Sequence, residues 1–286
     1  MKKLVSLLAI AVLSIFSISA QELENSTLWK ISGNDLENPS YLFGTIHITC
    51  DATLSDDVKK ALEDTTQMVM ELDMDDPSMQ SKMMAGIYMK DGKRIKDMVS
   101  EEDYNILNEF VIKNLGASLE MVGNMKPFMI SASMYPKMID CPMQSYELTL
   151  VKLSQAEGEE IYGLETVEEQ LQVFEDIPYE DQIKDLLKSA KDNMTKDKEN
   201  FAILLNTYKT QNINLMLDMM NSEEAGSIAQ HQDKLLENRN KNWIPKIKEY
   251  SAEPTFFAVG AGHLAGENGV INLLRKEGYT VEAVLE

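Results

Sequence analysis

Hydrophobic and polar positions along this chain change rhythm several times. Near the start, "TLWKISG" and "SYLFGTIH" are β-branched and aromatic runs on either side of "NDLENP". Asn34, Asp35, Asn38 and Pro39 are turn formers, so the three pieces predict a β-hairpin. "SDDVKKALEDTT" comes next, with Val58, Ala61 and Leu62 on one face behind a Ser/Asp start, the pattern of a short helix. "QMVMELD" is a continuous apolar run ending in acid, which suits a strand buried on both faces of a parallel sheet. From Pro77 to Tyr146 the signals are helical, with an N-cap at Ser100 and a stop at Gly116. "EIYGLE" reads as another short strand, and Thr166 to Glu169 form a capping box that opens "TVEEQLQVF". A long polar amphipathic region runs on to Tyr250. The chain closes with a strand "TFFAVGAGH", a helix "GVINLLRKE" ended by Gly278, and a strand "YTVEAVL".

Strands alternating with helices predict an α/β fold: a central mixed or parallel sheet with flanking helices and a helical insertion, over about residues 77–158, acting as a cap. No low-complexity linker interrupts the chain, so residues 21–286 read as a single domain carrying that insertion.

The opening "MKKLVSLLAIAVLSIFSISAQE" changes the picture of where such a domain works. Two lysines, an apolar run from Leu4 to Ile18 and small residues before Gln21 predict a signal peptide over residues 1–20. The run is shorter than the roughly 20 residues that span a bilayer. The expected protein is therefore exported, periplasmic or secreted, with no stable membrane span once the leader is cut. Loss of Lys2 and Lys3 takes the formal charge from −20 to −22. Nucleic acid and anionic membrane are poor partners for such a surface, which favours solubility and draws cations, metal ions included. Cys50 and Cys141 make up the whole cysteine content, and an oxidising compartment lets them pair. A Cys/Cys/His metal site is the rival reading, without the CxxC spacing that would support it.

Chemistry-bearing residues gather at the predicted strand ends. "LFGTIH", "MVMELD", "IYGLET" and "FAVGAGH" deliver His47, Glu71, Glu165 and His263 at their C-terminal edges. In open α/β sheets ligands bind outside those edges, so the four are expected to converge. Two of the three histidines stand three residues after a glycine; a glycine there permits positive φ or close backbone approach. Two imidazoles with one or two carboxylates form a set that binds Zn²⁺, Mn²⁺, Co²⁺ or Fe²⁺ and leaves a position open for water. Taken singly, each residue also has a plain reading: core histidines, a helix N-cap charge at Glu71, a first-turn acid at Glu165. Arg239 is placed to stabilise an oxyanion, to orient a substrate carboxylate, or simply to pair on a helix surface. His231 is expected to be exposed. The methionines of "MQSKMM" and "NLMLDMM" belong to the core or line a soft groove for an apolar peptide.

These residues carry a family resemblance. "SYLFGTIH", "ELD", "MKPFM", "YGLET", "LLENRNKNW" and "FFAVGAGHLAGENGVINLLRKEGYTVE" together resemble the TraB/GumN family, whose animal branch includes the TIKI metalloproteases. The resemblance spans essentially the whole chain after the leader, and the paired Gly-x-x-His motifs are its most specific part. It implies a metal-dependent hydrolase of the erythromycin-esterase and ChaN-like fold group, with His47, Glu71 and His263 in the site. Arg239 and Asn240 match an Arg-Asn pair of the family; the preceding position, often acidic there, is Asn238 here.

The expected function is an exported metal-dependent peptidase acting on a peptide or protein. His47, His263 and Glu71 or Glu165 would hold a divalent ion (Mn, Co or Zn), the other glutamate would activate water, and Arg239 would steady the intermediate. The competing expectation is a non-catalytic binding protein that sequesters a peptide, metal or haem in the same crevice.

Overall fold

The structure, a computed structural model, describes residues 22–222 and 225–285; the expected signal peptide lies outside the described residues. Six strands form one mixed sheet: β1 (Leu28–Ser32), β2 (Ser40–Thr45), β3 (Gln67–Met70), β4 (Ile161–Gly163), β5 (Thr255–Gly260) and β6 (Thr280–Ala283). Their spatial order is β4-β3-β5-β2-β1-β6. The hairpin expected at the start is β1 against β2, antiparallel, and β6 joins β1 antiparallel at the edge. The other three pairings, β2 with β5, β5 with β3 and β3 with β4, are parallel. Four neighbouring strands therefore point the same way, and they are the four that end in His47, Glu71, Glu165 and His263.

Helices cover the sheet: α1 (Asp56–Glu63), α2 (Met79–Gly86), α3 (Glu101–Leu115), α4 (Leu119–Val122), α5 (Pro127–Ala132), α6 (Tyr146–Glu157), α7 (Val167–Asp176), α8 (Tyr179–Asp192), α9 (Thr195–Lys209), α10 (Ile213–Met220), α11 (Asn238–Tyr250) and α12 (Val270–Lys276). Local chemistry sets their ends as the sequence indicates. Ser100 caps α3 by accepting from Asp103 N–H, and Gly116 ends it at φ 72°. Thr166 and Glu169 form the capping box of α7.

The central strand explains why "FFAV" is apolar at every position. Phe256 and Ala258 face a core with Phe43, Met68, Met70, Val58 and Leu150. Phe257 and Val259 face the opposite core, with Leu42, Val69, Trp243, Ile271 and Leu274. Both phenylalanines are fully buried, and each such side chain removed from water stabilises by about 1.5–3 kcal/mol. A strand with two covered faces has no polar alternation to show. A further core joins Leu107, Phe110 and Ile130 from the 77–158 stretch to Tyr179, Ile183 and Leu186 of α8, so helices on both sides of Ile161 share packing.

Candidate active site

The four parallel strands place the expected residues on one rim. Glu71 comes directly after β3, His47 lies two residues past β2, Glu165 two past β4, and His263 ends a short 3₁₀ turn after β5. Beyond the named strands, Leu164 N–H donates to Met70 C=O and Glu165 N–H to Glu71 C=O at 2.9 Å, which fixes the two glutamates side by side.

The two Gly-x-x-His glycines serve close approach; neither Gly44 nor Gly260 has positive φ. A Cβ on Gly44 would lie 2.6 Å from Leu264 Cδ1 and 3.1 Å from Ala261 Cα, so the turn bearing His263 could not lie against β2. A Cβ on Gly260 would sit 3.3 Å from Glu71 Oε1, 3.7 Å from His263 Cδ2 and 3.8 Å from His47 Nε2, which shows the three functional groups surrounding one bare backbone position. Gly260 N–H in turn donates to Glu71 Oε1 at 2.8 Å.

Arg239 organises the carboxylates. Its Nη2 donates to Glu71 Oε2 and to Glu165 Oε1, each at 2.6 Å, and its Nε lies 3.1 Å from both Glu165 oxygens. Its Nη1 donates to Leu235 C=O at 2.9 Å and meets His263 Nε2 at 3.0 Å. All five guanidinium N–H groups are thereby engaged. The residues before α11 form a π turn, Asp233–Glu237, in which Asn238 N–H reaches Asp233 C=O five residues back; such turns re-aim the side chains beyond them. Gln170 donates to Glu71 Oε2 and Glu165 Oε1, and Trp243 Nε1 to Glu165 Oε2 at 3.3 Å.

The two histidines sit in opposite environments. His263 is buried and packs on Trp243 with ring centroids 4.4 Å apart and the rings tilted by 37°. Asn240 Nδ2 donates to the backbone carbonyls of His263 and Asn268, so its Oδ1 faces His263 Nδ1 as an acceptor, at 2.6 Å. The imidazole therefore carries its proton on Nδ1 and a lone pair on Nε2. Burial pushes its pKa down to about 3, with the Arg239 and His47 charges acting in the same direction against Glu71. His47 has 70% of its side chain exposed, and its Nδ1 lies 2.8 Å from Glu147 Oε1. That hydrogen bond, above all, raises its pKa to about 9. Burial lifts the Glu71 carboxyl, but the Arg239 charge, helped by His47 and the Gly260 N–H, outweighs it and holds the group at about 2. Glu147 is likewise held at about 2 against its burial, by His47, Ser145 and Thr45.

Glu147 and Gln170 are residues the sequence did not flag. The sequence signal that could have led to Glu147 is the cysteine pair. Cys50 and Cys141 form a disulfide with Cα atoms 5.7 Å apart, and Thr49 pairs with Gln144 in an isolated bridge beside it. The cross-link ties the loop after His47 to the segment before Glu147. His231, expected to be exposed, is partly covered and paired with Asp181 at 3.0 Å.

The chain matches the TraB/PrgY/gumN family over residues 27–283. It belongs to that family. Similar curated proteins are the metalloprotease TIKI2 of Danio rerio, 21% identical across 90% of this chain, and that of Xenopus tropicalis, 23% identical across 92%. A metalloprotease TIKI homolog of Amphimedon queenslandica is 22% identical across 97%. The alignments cover 61%, 60% and 65% of those proteins, so this chain spans about three fifths of their length. No solved structure matches it. Among the described residues of this TraB-family chain, no helix is long and apolar enough to cross a membrane.

A metal is what the relatives' names imply, and the donors can be tested against one. Among the described residues, no three His, Cys, Asp or Glu side chains stand close enough to hold an ion between them; His263 Nε2 and Glu71 Oε1 are 3.7 Å apart. Arg239 provides the positive charge between the carboxylates. The donor chemistry nevertheless fits. Both imidazoles have Nδ1 committed to a side-chain oxygen, which is how metal-binding histidines are oriented; His263 Nε2 is on the side of Glu71, and His47 Nε2 and Glu71 Oε1 both border the Gly260 backbone.

Proposed function

We propose that this protein is a metal-dependent peptidase, exported if residues 1–20 act as a leader, with a divalent ion held by His47 Nε2, His263 Nε2 and Glu71. Mn²⁺, Co²⁺ and Zn²⁺ suit such nitrogen and oxygen donors. The observation that supports it most is the tautomer of His263: Asn240 Oδ1 accepts from Nδ1–H, which leaves the Nε2 lone pair on the side of Glu71. The bound ion would polarise a peptide carbonyl and lower the pKa of a water.

The chain's own residues divide the remaining work. Glu71, ionised at neutral pH, supplies a full negative charge. His47 must release its Nε2 proton to become a donor, so ion binding strengthens as pH rises. Glu147 and Asn240 fix the two rings. Glu165, with both oxygens taken by Arg239, Gln170 and Trp243, is the counter-charge that positions Arg239. Arg239 has no uncommitted N–H for an oxyanion and acts by orienting Glu71. Its contact with His263 Nε2 uses the lone pair an ion would need, so that contact would give way to an ion held there.

The test is hydrolysis of an unstructured protein by metal-stripped and Mn²⁺-, Co²⁺- or Zn²⁺-loaded material, with products read by mass spectrometry. Cleavage by loaded wild type that Glu71→Gln abolishes supports the reading. Ion binding without cleavage would make the crevice a binding site, as in a sequestering protein.

A further inference from the structure

The methionines of "MQSKMM" are only partly taken up by the core and have no part in the metal chemistry. Helix α2 buries none of its residues, and Met84 is 53% exposed. Its N-cap Ser78 makes no capping bond, and the helix leans on α7 through Met79 and Met83 against Leu171 and Val167. Between α2, the rim and the start of α6 lies a cavity of about 300 Å³. His47 and Glu71 line it, together with Met74, Met79, Met83 and Leu148.

We propose that this cavity is the subsite for one apolar aliphatic or aromatic side chain of the peptide next to the bond that is cut; the inference rests on the peptidase reading. Volume permits it: an apolar protein cavity of about 150 Å³ already holds a benzene ring, and this one is about twice that. Charge selects it. No lysine or arginine lines the cavity, and its carboxylates are Glu71 and Glu147, so an acidic side chain finds no lysine or arginine to pair with. Both glutamates are already neutralised, by Arg239 and by His47, which leaves little to attract a cation. The wall also sets the breadth of choice. Methionine has three rotatable bonds and a polarisable sulfur, and none of the α2 methionines is buried, so the pocket reshapes around Leu, Met or Phe.

The experiment uses a panel of peptides identical except at one position: Leu, Met, Phe, Gly, Asp or Lys. Binding to the metal-loaded protein is read by calorimetry, and cleavage by mass spectrometry. Leu, Met and Phe peptides are expected to bind about tenfold or more tightly than Gly, Asp or Lys peptides, from the apolar surface they bury. Met83→Trp, which fills the cavity, and Met79→Asp, which charges it, should each cut that preference to under about threefold, with far-UV circular dichroism and the Gly-peptide affinity unchanged. Equal affinities across the panel, no binding at all, or a preference that survives both substitutions overturns the subsite. Preferential binding without cleavage upholds the pocket and removes the peptidase reading. Glu71-dependent cleavage without preference does the reverse.

Discussion

Arg239 Nη1 lies 3.0 Å from His263 Nε2, an approach that a neutral imidazole welcomes and an imidazolium would resist. Asn240 makes this possible by accepting a hydrogen bond from His263 Nδ1–H, at 2.6 Å from Nδ1 to Oδ1. Asn240→Ala leaves that N–H without its partner and should cost about 1–3 kcal/mol in denaturant unfolding. Metal affinity should fall about 10- to 100-fold, as for other supports of a ligand's orientation. Asn240→Asp favours the charged ring instead, and nitrogen NMR shifts should show His263 taking up a second proton at higher pH than in wild type.

Arg239 is buried between two carboxylates, with 13% of its side chain exposed against 12% for Glu71 and 6% for Glu165. Removing one partner of such a cluster strands charge in the interior and costs about 3–5 kcal/mol. Arg239→Met should lose about that at pH 7. The pH dependence distinguishes this from lost packing. In wild type, the depressed Glu71 contributes stability that is present above about pH 4.5 and lost as pH falls through about 2. Without the guanidinium, the buried Glu71 carboxyl favours its protonated form, so the variant should gain stability from pH 7 to pH 5 while wild type does not. A parallel pair of curves would mean that Arg239 acts by bulk alone.

The His47–Glu147 pair has the opposite sign. With a folded-state pKa near 9 against an ordinary 6.5, His47 contributes stability that is complete below pH 6.5 and lost as pH rises through about 9. Its exposure keeps the contribution small. Histidine NMR on metal-free protein should find His47 titrating near 9, and Glu147→Gln should bring it back toward 6.5.

The Cys50–Cys141 bridge closes a loop of sequence separation 91. Reduction, or the double change to serine, should destabilise by about 2–4 kcal/mol in guanidinium unfolding. It should also broaden the His47 and Glu147 resonances together, because one cross-link secures both segments.

The sheet and its functional rim were legible because they depend on short-range signals. "QMVMELD" and "TFFAVGAGH" mark buried strands together with the acid and the histidine at their ends, and the turn between Asn34 and Pro39 marks the hairpin. The roles at the rim were less legible. Glu165 suggested a ligand or base because it stands just past a strand, whereas Arg239, 74 residues away, engages both its oxygens. Glu147 reaches His47 across 100 residues, and a first-turn glutamate in "SYELTL" looks like any helix start. Gly44 and Gly260 were recognisable as special, but close packing rather than positive φ is the reason. His263 reads as a strand-end residue with little packing, yet the 3₁₀ turn folds it back under Trp243, so His263→Ala perturbs the core as well as the site.

His47 is therefore the cleaner probe of the metal site, since its exposed ring contributes little to packing. Calorimetric titration of Mn²⁺, Co²⁺ and Zn²⁺ into metal-free wild type and His47→Ala, beside the melting temperatures of both metal-free proteins, tests the ligand set directly. One equivalent should bind wild type, more tightly at pH 8 than at pH 6. His47→Ala should bind at least about tenfold more weakly, from the loss of one ligand of about three, while its metal-free melting temperature stays within about 2 °C of wild type. Equal affinity in the two proteins, or no binding of any of the three ions to wild type, would contradict the assignment of His47, Glu71 and His263 as the ligands.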